Sequence, residues 1–312
     1  MDSFFIALNV VVPFLIYIFF GYFVRCAHLV EEAFLKQQNQ MVFKLFFPIV
    51  MFYNLYNKDP NQPFDTKLAL ISVVCVLSVI AILFVLVPLF VTENPQRGVI
   101  IQAIYRSNFV LFALPLTEGL FGRQGNTLAS MMIAIVVPIY NVAAVILLEY
   151  FRGGKANLSV LIKRILKNPM ILGAIVGFVF VLVKIRLPQC IELPISQFSA
   201  LATPLALFIL GGTLHFSSIR NHAALLIPTL VIKLLVLPAI MVGISIFFNF
   251  TPLSRFIFFI MFAAPVATAS YPMASNMGGD GALAGELVVV STAVSVVTIF
   301  LWIFLLRSTG LI

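Results

Sequence analysis

Apolar runs of about twenty residues follow one another along almost the whole chain, at roughly 4–24, 36–56, 67–91, 97–121, 126–151, 168–187, 196–216, 222–249, 253–277 and 281–306. Wound as a helix, each matches the hydrocarbon thickness of a bilayer. Lipid offers a bare backbone no hydrogen-bond partner, so a crossing segment must satisfy its own N–H and C=O groups, as a helix does. The chain is 62% hydrophobic and 10% charged, with a mean hydropathy of +1.13. Soluble domains carry about 25% charged residues, so a wet surface of ordinary size cannot be built here. The expected fold class is an all-α polytopic membrane protein of about ten transmembrane helices, without a sizeable soluble domain.

The net charge of +8 is concentrated rather than spread. Arg152, Lys155, Lys163, Arg164 and Lys167 crowd the longest connection, which divides the chain into 1–152, a basic connection 153–167, and 168–312. No aromatic residues interleave with these cations, so they read as a topology signal and not as a nucleic-acid surface. They place the connection in the cytoplasm of a multi-pass cell (plasma or inner) membrane protein and both termini outside. Lys58, Lys67, Arg123, Lys184 and Arg186 form a weaker opposing set. The N-terminal stretch MDSFFIALNVVVPF has neither a basic leader nor a small-residue cleavage pattern and reads as a retained first helix.

Five spans in each half force the second half to start from the opposite side, which makes related halves inverted repeats. Two runs are interrupted at matching places. The first reads Arg106-Ser107-Asn108-Phe109 through Leu114-Pro115-Leu116 to Phe121-Gly122, and the second Ala264-Pro265-Val266 through Ser270-Tyr271-Pro272 to Asn276-Met277-Gly278-Gly279. A shift of 157 residues lays Pro272 on Pro115, Gly279 on Gly122 and Pro252 on Pro95. A proline costs roughly 3 kcal/mol in an ordinary helix interior. Paired breaks of this kind are the best sequence pointer to a transporter's binding site, because free backbone ends are tolerated only in protein or beside a wet cavity.

The polar residues at the breaks are Arg106, Ser107, Asn108, Thr117 and Glu118, and Thr268, Ser270, Tyr271, Ser275 and Asn276. Half-helix N-termini attract anions and C-termini attract cations, so crossed breaks could hold a carboxylate by dipoles, amides and hydroxyls. The candidate substrate-binding residues are Asn108, Ser107, Pro115, Pro265, Tyr271, Pro272, Asn276 and Asn141. Asn108 leads, since its amide both donates and accepts; the alternative is that it satisfies its own helix end. Charges inside spans are costly, which singles out Lys233, Glu118, Glu286 and Arg106 as counter-charges or coupling groups, with Glu118 and Glu286 as candidate partners for Lys233. Lys44 lies nearer a span end and is expected to snorkel. Tyr140-Asn141 and Ser291-Thr292 are expected to act as glue between helices or to turn toward the breaks. Gly173-Ala174 with Gly177 offers a small-residue face for a homodimer.

Catalysis has little to work with. His28, His215 and His222 form no metal spacing, Cys26, Cys75 and Cys190 are scattered, and no phosphate loop or nucleophile elbow is present. The chain is therefore read as no enzyme, with no metal and no cofactor beyond a coupling H+ or Na+. Its partners are the lipid bilayer and a small solute.

Arg106-Ser107-Asn108 followed by Ala113-Leu114-Pro115-Leu116 and Phe121-Gly122 resembles the fourth-helix signature of the auxin efflux carrier family, whose prokaryotic members include malate- and malonate-permease-like proteins. Asn168-Pro169, Thr203-Pro204-Leu205-Ala206-Leu207 with Gly211-Gly212, Lys233-Leu234 before Pro238, and Gly281 through Ser291-Thr292 extend the resemblance over nearly the whole chain. It implies ten helices in two inverted five-helix repeats, with an architecture similar to bile-acid symporters. It further implies a scaffold of helices 1, 2, 6 and 7, a transport domain of helices 3–5 and 8–10, helices 4 and 9 crossing at their prolines, elevator-like movement and dimers. The chain departs from the family's Asn-Thr-Gly-Phe pattern, since Phe109-Val110-Leu111-Phe112 follows Asn108, and it lacks a long central loop; auxin is not the expected substrate. The expected function is secondary transport of small organic anions, mono- or dicarboxylates. The alternatives are a sodium-coupled symporter of another solute and a ligand-binding membrane sensor.

Overall fold

The computed structural model describes residues 2–56, 65–152, 162–163, 165–214 and 222–312. Among the described residues it is all-helical, apart from one isolated antiparallel bridge. Along the first half run α1 (Asp2–Cys26), α2 (Glu32–Met41), a π-helical turn (Val42–Phe46), α3 (Phe47–Tyr56), α4 (Thr66–Phe90), α5 (Asn94–Tyr105) and α6 (Phe109–Phe151). The second half holds α7 (Pro169–Leu182), α8 (Gln189–Thr213), α9 (Ala223–Val231), a second π-helical turn (Ile232–Val236), α10 (Leu237–Phe247), α11 (Pro252–Ala263), α12 (Ser270–Asn276) and α13 (Gly281–Ser308). Thr66–Phe90, Phe109–Phe151, Gln189–Thr213, Ala223–Phe247 and Gly281–Ser308 are long and apolar enough to cross a membrane, and Val12–Cys26, Pro169–Leu182 and Pro252–Ala263 are shorter apolar helices.

The expected run 97–121 is not one helix, and its boundary with the next run is unusual. It breaks after Tyr105, and its second part continues into the following run as α6, kinked at Gly122 with φ 64°. Only glycine enters that region without strain. The chain reverses so tightly there that a Cβ on Gly125 would lie 2.4 Å from the Thr117 carbonyl oxygen. The expected seventh run starts earlier than its hydropathy suggests, at Gln189, because Pro188 ends an extended stretch and Pro194 falls near the helix start. Lys155 and Arg164 of the basic connection, with Lys58 and His215, lie outside the described residues.

Helices α1 and α8 pack closely, as do α3 and α7, and α8 also meets α2 and α3. Elsewhere α6 packs on α5 and α11, α10 on α11, and α12 on α13, with α1 touching α6 and α13. The face Gly173–Gly177, read above as a dimer surface, is used inside the chain. A Cβ on Gly173 would come within 2.3 Å of the Pro48 carbonyl oxygen, and one on Gly177 within 2.7 Å of that of Phe52. Small residues let α7 and α3 approach to backbone contact, as at membrane helix interfaces generally.

Burial sorts the helices. Leu70, Val74, Leu77, Leu86 and Phe90 of α4 and Leu172, Ile175, Val176 and Phe178 of α7 are exposed apolar side chains, which suits lipid. The short helices beside the breaks are the reverse: every residue from Gly98 to Tyr105 in α5 and from Phe256 to Ala263 in α11 is buried. The interrupted backbone is therefore enclosed by protein, the environment that its free groups require.

Candidate functional site

The two breaks cross each other. Arg106–Asn108 separates α5 from α6, residues 264–269 separate α11 from α12, and Ser107 and Val266 form the antiparallel bridge. The Asn108 N–H donates to the Pro265 carbonyl at 2.7 Å, and the Val266 N–H donates to Ser291 Oγ at 3.1 Å. Each break thus finds in its counterpart, or in α13, the partner that helix continuity would have supplied. Pro265 lies at the crossing, but Pro115 does not; it sits well inside α6, and Pro272 falls in the first turn of α12. The expectation that the helices cross at their prolines holds for Pro265 and is corrected for Pro115 and Pro272. A proline removes one N–H from its own helix, whereas the bridge forms where both backbones leave helical geometry.

A buried polar shell surrounds the crossing. Arg106 is 3% exposed. Its guanidinium donates to Gln102 Oε1 at 3.1 Å, to Met273 Sδ at 2.8 Å and to Asn141 Oδ1. None of these partners is anionic, and among the described residues no carboxylate lies within ion-pair distance of it. Ser107 Oγ and the Tyr140 hydroxyl, the latter at 3.0 Å, both donate to the Met261 carbonyl, and the Tyr105 hydroxyl donates to the Tyr140 carbonyl at 3.1 Å. Asn141 also reaches α3, its Nδ2 donating to Met51 Sδ at 2.8 Å. Asn108 Nδ2 and Ser270 Oγ are buried without a partner among the described residues. Asn108 therefore does not spend its amide on capping α6. Buried polar atoms without partners are uncommon.

Lys233 is buried, and its Nζ has no partner among the described residues. The carboxylates weighed above as its partners are engaged elsewhere: Glu118 is exposed and accepts from Asn126 Nδ2 at 3.0 Å, and Glu286 lies 2.9 Å from His222 Nδ1. Lys233 sits in the second π-helical turn, which touches α5, α11 and α13. Pro238 has no N–H for the Leu234 carbonyl four residues back, and the Trp302 indole N–H donates to that oxygen at 3.0 Å. His222 further faces Asp280 at 3.8 Å, and Gln96 Nε2 donates to Asp280 at 3.3 Å, which ties the starts of α5, α9 and α13 together.

Tyr271 and Asn276 line a polar cleft of about 440 Å³, with Glu32, Lys36 and Asn39 of α2 across from them. The Tyr271 hydroxyl is shared with Thr213 Oγ1 at 2.6 Å, closing the end of α8 onto α12. Asn276 Nδ2 donates to the Pro272 carbonyl at 2.7 Å. Sequence reasoning missed Gln102, Tyr105 and Met273 in the shell around Arg106. Gln102 carried a usable signal: it is a polar residue in an apolar run, one helical turn before Arg106.

The family profile described as membrane transport protein matches residues 6–158 and 154–303, two stretches that meet at the basic connection. A relative from Methanothermobacter thermautotrophicus, an uncharacterized transporter, is 25% identical over 294 residues, spanning 92% of this chain and 94% of its own length. With its apolar helices and this match over nearly its whole length, the chain belongs to the membrane transport protein family, the auxin efflux carrier family, as a multi-pass membrane protein.

Proposed function

We propose that the protein is a secondary active transporter of small organic anions, mono- or dicarboxylates, working by alternating access. The observation that carries the reading is Arg106, a buried guanidinium beside the crossing with neutral partners alone. Burying an unpaired charge costs several kcal/mol, and a substrate carboxylate would supply the missing charge. Lys233 adds a second buried cation on a turn packed against α5 and α11. The unpartnered Asn108 amide and Ser270 hydroxyl supply neutral contacts that select shape.

In this reading the chain makes ten spans in two inverted five-helix repeats, with both termini outside the cell membrane and the basic connection in the cytoplasm. Helices α1–α3, α7 and α8 form a scaffold, and α4–α6 with α9–α13 carry the crossing past it in an elevator-like movement. The packing of α1 on α8 and of α3 on α7 supports that grouping, and the polar cleft along α12 lies between the groups as an entry route. The driving ion is a proton or sodium. Glu286, buried and held by His222, is the candidate proton carrier.

The test is thermal stabilisation by a panel of carboxylates, with and without sodium, followed by flux in proteoliposomes for each hit. A ligand that binds the folded state raises its apparent stability by mass action. Asn108→Ala is expected to insert normally and to lose flux. Normal flux in that variant removes Asn108 from the site, and stabilisation by neutral and cationic solutes alone sinks the anion reading.

A further inference from the structure

A second cavity, of about 410 Å³, opens at the end of the bundle next to the basic connection, and the proposed transport does not use it. Arg152, Lys163, Lys167, Asn168, Glu149 and Asn276 line it. Its charges do not cancel. Glu149 is engaged by Arg152 at 3.0 Å, while Lys163 and Lys167 have no ion-pair partner among the described residues. The same wall holds the start of α7, where Asn168 caps the helix by accepting from the Met170 N–H at 2.9 Å and Pro169 occupies the first turn. The positive end of that helix dipole adds to the two lysines. Size, charge and dipole together fit an anion with several oxygens.

The surroundings narrow the chemistry. Lys163 and Lys167 are one helical turn apart, and beside them Ile162 and Leu166 are 48% and 54% exposed, also one turn apart. Beyond the turn at Lys167, Leu172, Ile175 and Val176 of α7 are exposed apolar side chains as well. Cations at a cavity mouth with apolar side chains running away along the helix suit a group with a charged oxygen head and a hydrocarbon tail. A basic connection that serves only to set topology needs no cleft between its cations and the start of α7.

We propose that this cavity is a binding site for a phosphate group at the membrane surface, carried by an anionic phospholipid headgroup or by a free phosphate compound. Asn276 lines this cavity and also the polar cleft on the other side of α12, so an occupant would sit against the wall of the substrate route. The inference does not depend on the substrate being an anion, and its test needs no substrate.

Purified full-length protein in a neutral detergent is titrated with phosphatidylglycerol, with phosphatidylcholine and with inorganic phosphate while its melting temperature is followed. The same series is run on the Lys163→Gln, Lys167→Gln double variant, whose changes are at exposed positions and leave the fold intact. Phosphatidylglycerol is expected to raise the melting temperature, phosphatidylcholine not to, and the shift to fall by at least half in the variant. Native mass spectrometry should show the variant retaining fewer anionic lipids. A variant-sensitive shift from inorganic phosphate, with none from the lipid, assigns the site to a free phosphate compound. Equal shifts in both proteins, or no shift with either probe, overturns the proposal.

Discussion

The two breaks share a backbone device and divide the chemistry between them. The first is short, and all of its residues are polar: Arg106, Ser107 and Asn108. The second is longer, Ala264-Pro265-Val266-Ala267-Thr268-Ala269, with Thr268 as its one polar side chain. The first brings a guanidinium, a hydroxyl and an amide beside the crossing; the second answers with the Pro265 carbonyl and the Val266 N–H. The difference teaches that a repeat can keep the backbone geometry of a break in both halves while the polar side chains of the break itself gather in one. A pseudo-symmetric backbone does not require a pseudo-symmetric substrate.

The harshest way to break that comparison is to remove the charge from the first half. Arg106→Met keeps much of the volume and takes away a buried cation. Flux is expected to fall by about two orders of magnitude, on the scale of a lost buried charge contact. Stability should move much less, because a buried charge replaced by an apolar side chain is often neutral or stabilising. The Asn141 and Gln102 oxygens that lose their donor temper that gain. Flux and melting temperature measured on the same preparation separate the two effects. Equal collapse of both would make Arg106 a structural pin.

A change in the second half should have the opposite signature. Ser291→Ala strips the acceptor from the buried Val266 N–H. An orphaned buried donor costs about 1–3 kcal/mol, so the melting temperature is expected to fall by several degrees. Flux per folded molecule should change little, since Ser291 holds the backbone of the crossing and offers the substrate nothing. A selective loss of flux at unchanged stability would make Ser291 part of the transport machinery and not a backbone support alone.

The sequence carried the helical class, the two interruptions and most of the polar residues beside them, because each departs from an apolar background. It carried the point of crossing only in part: Ser107 and Val266 fall within the interruptions read from the sequence, beside Asn108 and Pro265, while Pro115 and Pro272, which the repeat aligns, lie off the bridge. The two lysines show a second limit. Lys44 precedes Pro48 and Lys233 precedes Pro238, each within a π-helical turn, yet Lys44 is exposed and Lys233 buried. Local pattern sets the turn, and only packing decides which face meets lipid and which meets α5 and α11. The sequence placed Lys44 nearer a span end, whereas α2, the π-helical turn and α3 run on without a gap and set it mid-way along 32–56. Nor did the sequence show that Lys233 lacks a partner among the described residues, since Glu118 and Glu286 find theirs elsewhere.

The smallest expected effect sharpens the comparison most. Tyr271 follows the second break and lines the polar cleft, so its hydroxyl looks available to a substrate. That hydroxyl is already shared with Thr213 at 2.6 Å. Tyr271→Phe should cost about 0.5–1.5 kcal/mol of stability, the net worth of a typical hydrogen bond. If the Tyr271 hydroxyl is spent on Thr213 and not on substrate, the apparent KM for transport should stay within about threefold, since one neutral hydrogen bond lost from a bound substrate would shift it by more. A tenfold rise in KM at unchanged stability would put a substrate contact on Tyr271 and show that the hydroxyl shared with Thr213 is released to bind.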